Sequence, residues 1–199
     1  MNTFRLLFKK ITPLTLICFG SLSIVAHAAQ KKDNVLINFA DSRKDPDGTV
    51  FRPYEYVFGD WSNHVNDLRG RGTLVKAPTG KGGLGENKTL VDFSKETSVE
   101  LHFIIGNANH AANLTFSLED KDETEQAWTI RLTDFPVGRP VQIILDLGKP
   151  TSEPKPGKTA GLNLKKINTW QVKGDFTSPN LEILLVKLIG SPQTQQAAQ

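Results

Sequence analysis

The sequence predicts an all-β chain folded as an antiparallel two-sheet β-sandwich. Three observations carry that expectation. Apolar and polar residues alternate at period two through four successive segments. Clusters of Gly, Pro, Asp and Ser punctuate the chain between those segments. The 16 Gly and 11 Pro leave little room for helix. A sheet with one apolar face must bury it against another layer, which points to two packed sheets.

The chain opens on a segment that does not belong to this pattern. "MNTFRLLFKK" carries Arg5, Lys9 and Lys10 with no acid, an apolar run "ITPLTLICFGSLSIV" follows, and "AHA" ends at Ala28. This is the layout of a secretory signal peptide over residues 1–28, and it implies a secreted or periplasmic protein. The apolar run is short for a bilayer span of about 20 residues. Ile17 before Cys18 argues against a lipid anchor, and "LEILLVKLIG" is interrupted by Lys187. The expectation is no membrane span after cleavage. The three basic residues of the signal account for the whole formal charge of +3. The remainder is balanced and carries no Lys/Arg-rich tract, so nucleic acid is not an expected partner. The only cysteine, Cys18, leaves with the signal, and with it any disulfide, thiolate nucleophile or cysteine metal site. Residues 29–190 are then expected to form the sandwich, with 191–199, "SPQTQQAAQ", as a disordered tail.

Strands are expected at 35–40, 54–61 and 72–77, and the four alternating segments come next. In "VELHFII", Val99, Leu101, Phe103 and Ile105 share one face, with Glu100 and His102 on the other. Leu114, Phe116 and Leu118 alternate with Asn113, Thr115, Ser117 and Glu119. Trp128, Ile130 and Leu132 alternate with Ala127, Thr129, Arg131 and Thr133, and Val141, Ile143, Leu145 and Leu147 with Gln142, Ile144 and Asp146. Further strands are expected at 166–174 and 181–189. "PTGKGG" and "GKGGLG" read as turns, and "KPTSEPKPGKTAG" reads as a surface loop.

Candidate chemistry is sparse. Trp128 and Trp170 are in phase with core positions. Trp61, in "FGDWSNH", stands at a strand end beside polar residues and is either a stacking platform or a buried residue. In "EDKDETE", Asp120 and Asp122 at i, i+2 have the oxygen ligands a hard cation takes, but the glycine and closing Glu of a calcium loop are missing. The segment reads as a solvated hairpin turn, and "DSRKDPDG" (41–48) has the same status. His64, His102 and His110 have no metal-ligand spacing. Carboxylate pairs for glycoside hydrolysis meet in space and cannot be read along the chain.

"VLINFAD", "GNANHAANLTFSLEDKDETEQAWTIRL" and "LNLKKINTWQVKGDFTSPNLEILLVKLIG" together resemble the galactose-binding-like jelly roll, and more narrowly its carbohydrate-binding modules. The resemblance spans most of residues 34–190. It implies a structural calcium between an opening acid, here Asp41, and an acid in the last strand, where this chain has Lys187. That departure leaves the calcium a candidate only. It implies a polysaccharide or glycan ligand, held by outward polar residues of the strands and an aromatic plate. The substrate-binding residues so expected are Trp61, Glu100, His102, Arg131, Gln142 and Gln171, with Thr129 beside them. The function expected is a secreted, non-catalytic carbohydrate-binding β-sandwich. Two alternatives stay open: a β-sandwich binding a protein partner in an envelope assembly, and a small polysaccharide-active hydrolase or lyase.

Overall fold

A computed structural model describes residues 34–40, 56–58, 60–67, 70–77, 82–158, 160–176 and 180–192. These lie within one compact unit, Asp33–Gln199. The proposed signal, Asp41 and the 41–48 segment lie outside the described residues. Among the described residues the regular elements are β-strands and two short 3-10 turns, and no helix is long and apolar enough to cross a membrane.

The strands are β1 (Asn34–Asn38), β2 (Tyr56–Phe58), β3 (Asp60–Asp67), β4 (Gly70–Ala77), β5 (Gly83–Asn87) and β6 (Glu96–Ile105). They continue as β7 (Asn113–Asp120), β8 (Glu125–Arg131), β9 (Pro140–Asp146), β10 (Ser152–Lys155), β11 (Ile167–Gly174) and β12 (Leu181–Pro192). The first sheet runs β3-β4-β12-β6-β9, with β1 also paired to β12. The second runs β10-β8-β7-β11-β5-β2. Every pairing is antiparallel. The fold is therefore the two-sheet antiparallel sandwich expected from the alternation.

One core lies between the sheets, and the alternating residues fill it. The first sheet contributes Val99, Leu101, Phe103 and Ile105 from β6 and Val141 and Leu145 from β9. The second contributes Leu114, Phe116 and Leu118 from β7, and Trp128 and Ile130 from β8. Trp128 is 2% exposed and its indole N–H donates to the Asp146 carbonyl at 2.8 Å, so its one polar atom is satisfied at the sheet-to-sheet seam. Trp170 is buried against Phe39 in an edge-to-face contact with centroids 5.9 Å apart. Its indole donates to Glu86 Oε2 at 3.1 Å.

β12 does not alternate in sequence, and the register explains it. Its core positions are Leu181, Ile183 and Leu185, then Leu188. An extra residue, Val186, interrupts the ladder with β6 between Leu185 and Lys187 and flips the phase. At the same point β12 changes neighbour, from β4 over Leu181–Leu185 to β1 over Lys187–Gly190. The Val186 carbonyl accepts from the Phe39 N–H at 3.1 Å, which fastens the end of β1 at the bulge.

Four local expectations are corrected. The "GLG" that ends "GKGGLG", expected as a turn, belongs to strand β5, hydrogen-bonded on both sides to β11 and β2. Its glycines supply no side chains to alternate, so the period-two signal is silent there. Ser152–Lys155, expected in a loop, forms the edge strand β10, a position where Pro154 costs no ladder hydrogen bond. β12 extends to Pro192, past the strand end expected at 189 and the domain boundary expected at 190. The "EDKDETE" turn is not simply solvated, because Asp120 is 1% exposed. Its Oδ1 accepts from the N–H groups of Asp122 (2.8 Å) and Thr124 (3.1 Å). Its Oδ2 accepts from the Asn163 N–H at 2.9 Å. One carboxylate thus closes the β7–β8 turn, where Glu123 adopts φ 68°, and ties it to the loop that enters β11.

Candidate functional site

The outer face of the second sheet can be read as rows of residues in register. The central row is Gly85 (β5), Gln171 (β11), Ser117 (β7), Ala127 (β8) and Ser152 (β10), and Tyr56 of β2 stands in register beyond Gly85. The row on one side is Gly83, Lys173, Thr115 and Thr129. The row on the other is Asn87, Thr169, Glu119 and Glu125. The middle of the face is therefore made of small side chains, bordered by hydrogen-bonding ones. At Gly85 a Cβ would overlap the Trp170 carbonyl oxygen and crowd Gln171, so glycine is what lets Gln171 lie beside β5.

Polar groups converge at the centre. Lys173 Nζ donates to Gln171 Oε1 at 3.1 Å and to Glu125 Oε1 at 3.4 Å. Lys173 is on β11 and Glu125 on β8, one row beyond the central row, so their bridge passes over Ser117. That explains why Ser117, 2% exposed, and Ala127, 3% exposed, are covered although they point away from the core. Lys173 and Glu125 are themselves only 25% and 16% exposed at their side chains. A second pairing follows at the edge, with Lys155 Nζ 3.7 Å from Glu119 and 3.9 Å from Glu123. Thr151 Oγ1 accepts from the Thr129 N–H at 2.8 Å and donates to the Ala127 carbonyl at 3.0 Å, which seals the open edge of β8 beyond β10.

The six expected binding residues do not meet on one face. Gln171 lies in the central row of the second sheet's outer face. Arg131 lies on the same face, exposed at the end of β8 and opposite Asn113. Glu100, His102 and Gln142 lie on the outer face of the other sheet, across the core from it. There His102 Nε2 is 2.7 Å from Glu100 Oε1, and His102 stands in register with Gln142. Trp61 belongs to β3 of that first sheet, opposite Val75, and its side chain is outside the described residues. Period two tells inside from outside but cannot tell one outside from the other, so the expected set mixed two surfaces. Lys173 and Glu125 were missed. Lys173 is two residues from Gln171 and hence in its phase, a usable signal, but Glu125 was counted with the acidic turn.

A second polar feature lies beside β1. Asn34 Nδ2 donates to Glu96 Oε1 at 2.8 Å, whereas Glu96 Oε2 is buried without a hydrogen-bond partner. Gly190 makes room for that carboxylate, since a Cβ there would overlap it. Burial pushes the Glu96 carboxyl above the usual carboxylate range, with Asp92 adding to the shift and Asn34 and Lys95 opposing it. A groove of about 530 Å³ runs past it, rimmed by Leu90 and Val35. Among the described residues no group of three or more His, Cys, Asp or Glu side chains is arranged to hold a metal ion.

No known family model matches the sequence, and no curated protein matches it. Solved structures do. The agarase AgWH50C superposes with a TM-score of 0.50 and 15% identity, over 79% of this chain and 24% of its own. An exo-β-agarase superposes with a TM-score of 0.51 and 14% identity, over 81% of this chain and 25% of its own. A family 11 carbohydrate-binding module of the cellulosomal cellulase Lic26A-Cel5E of Clostridium thermocellum reaches a TM-score of 0.45 at 16% identity, over 78% of this chain and 97% of its own. The chain thus spans about a quarter of the length of each agarase it resembles. At these identities the likeness is one of fold, and the fold is the jelly-roll β-sandwich that the sequence pattern resembles.

Proposed function

We propose that this chain is a carbohydrate-binding β-sandwich that holds a glycan on the outer face of its second sheet, at the Lys173–Gln171–Glu125 cluster. The observation that carries the reading is the Lys173–Gln171–Glu125 cluster set over small residues. A sugar offers hydroxyls that both donate and accept, on a ring too broad to fit between large side chains. Gln171, Lys173 and Glu125 lie over the buried small residues Ser117 and Ala127, and the three polar side chains supply an amide, a donor and an acceptor. The agarases that share the fold are carbohydrate-active by name, which is consistent with this use of it. Binding without catalysis is part of the proposal. Glu119 and Glu125 face each other across β7 and β8, yet each is engaged by a lysine, Lys155 and Lys173. That suits carboxylates that accept hydrogen bonds from hydroxyls. Residues 1–28 motivate the further expectation that the protein acts outside the cytoplasm, which the amino-terminal sequence of exported protein checks.

A glycan array followed by titration calorimetry tests the reading. Lys173→Ala should weaken the best ligand roughly tenfold or more, the scale of a lost hydrogen bond involving a charged group, and Gln171→Ala about two- to tenfold, the scale of a neutral one. Both variants should remain folded, which circular dichroism checks. Unchanged affinity in both variants would move the site elsewhere, and the Glu100–His102–Gln142 face of the other sheet would be next to test.

A further inference from the structure

We infer that the Lys173–Gln171–Glu125 face selects uncharged glycans, and that the Glu125 carboxylate is the group that turns anionic ones away. The inference rests on the glycan-binding reading of the same face. Its basis is how the charges there are matched. Lys173 is held against Glu125 at 3.4 Å, and Lys155 lies within 4 Å of both Glu119 and Glu123. Arg131 lies apart, exposed at the far end of β8. The cationic side chains over the small-residue floor are therefore already compensated, and Glu125 is less exposed than the lysine it pairs with.

Recognition of a polyuronate or a sulfated chain requires cations with no competing acid beside them. A carboxylate brought to Lys173 would instead come up against Glu125, and two like charges at that range repel in a partly desolvated setting. A neutral glycan meets no such penalty. One hydroxyl of a vicinal pair can accept from Lys173 while its neighbour donates to Glu125, and Gln171 can serve either. The two oxygens of such a pair lie about as far apart as hydrogen-bonded partners, close to the Lys173–Glu125 separation. The sugar can then bridge the two side chains without uncovering either charge.

The experiment compares soluble neutral polysaccharides (a mixed-linkage β-glucan, a galactomannan and agarose oligosaccharides) with polygalacturonate and alginate by titration calorimetry. Each is run at low salt and at about 0.15 M, where surface charges are screened over about 8 Å. Wild-type protein should bind at least one neutral glycan with little salt dependence, and bind both polyanions measurably but more weakly. Glu125→Gln removes the repelling charge and frees Lys173. It should therefore gain polyanion affinity by about two- to fivefold at low salt, in line with an exposed ion pair, and lose the gain at high salt. Preferential polyanion binding by the wild type would overturn the inference while keeping the glycan reading. So would an unchanged preference in a folded Glu125→Gln variant. Should that variant fail to fold, Lys173→Gln, which leaves Glu125 uncovered, must depress polyanion binding further, and a rise would refute the inference. Binding to none of the five glycans would sink both the inference and the reading beneath it.

Discussion

Replacing Asp120 by Asn separates a solvated turn from a buried lock. The Asp120 carboxylate is 1% exposed and accepts three backbone N–H groups, at 2.8, 3.1 and 2.9 Å. Asparagine keeps one oxygen. If that oxygen keeps the two turn N–H groups of Asp122 and Thr124, the amide nitrogen faces the Asn163 N–H, donor against donor. One charge-assisted hydrogen bond is lost, worth about 1.5–3 kcal/mol, and a donor is left poorly satisfied near the surface. The other two bonds weaken as the acceptor loses its charge. The expected loss is about 2–4 kcal/mol. A solvated acidic turn predicts a change within about 0.5 kcal/mol, as surface substitutions generally give. Urea unfolding followed by the fluorescence of the buried Trp128 and Trp170 measures the difference. Limited proteolysis in the 156–163 stretch gives a local readout, because that stretch loses the Asn163 bond and keeps only the Lys158 N–H bond to the Asp122 carbonyl as a backbone tie to the β7–β8 turn. An Asp120→Asn protein with an unchanged urea midpoint and an unchanged cleavage rate would refute the lock.

Two further outcomes follow from the core and from Glu96. Trp128→Ala removes a side chain packed against Phe116 at 5.8 Å and bonded to the Asp146 carbonyl, and should cost about 3–5 kcal/mol by urea unfolding; a loss below 1 kcal/mol, roughly one methylene's burial, would contradict the packing. For Glu96 the folded-state pKa is raised, chiefly by burial. Its contribution to stability is therefore fully present below the unfolded carboxyl value, about 4.3, and is lost as pH rises through the folded value. Glu96→Gln should flatten that pH dependence and gain stability relative to wild type toward neutral pH. Parallel pH profiles of the urea midpoint in the two proteins would count against it.

The layers of this fold were legible because four strands alternate cleanly, and Leu114, Phe116, Trp128 and Ile130 are where their phase puts them. What escaped has physical causes. β5 has no side chains at Gly83 and Gly85 to show a period, and is a strand only because β11 and β2 flank it. The continuous apolar run in β12 hides a bulge, which shifts its phase at Val186. The site was legible in part. Gln171 and Arg131 were found on one outer face, while Glu100, His102 and Gln142 belong to the opposite one. Which strands are neighbours is a long-range fact, set by pairing partners that a local pattern does not encode.

The position of β12 also bears on how quickly the chain reaches its native state. It is the last strand among the described residues, yet it sits inside the first sheet, between β6 on one side and β4 and β1 on the other. Three strands made earlier thus wait for it. β1, the first described strand, pairs with β12, with Asn34 opposite Gly190. Closing so long a loop costs entropy before any ladder bond repays it. Sandwiches dominated by such distant pairings fold in roughly milliseconds to seconds, well behind helical bundles. During that interval β4 and β6 each present an unsatisfied edge to any neighbouring chain, so the yield on refolding should fall with protein concentration even where the folded protein is stable.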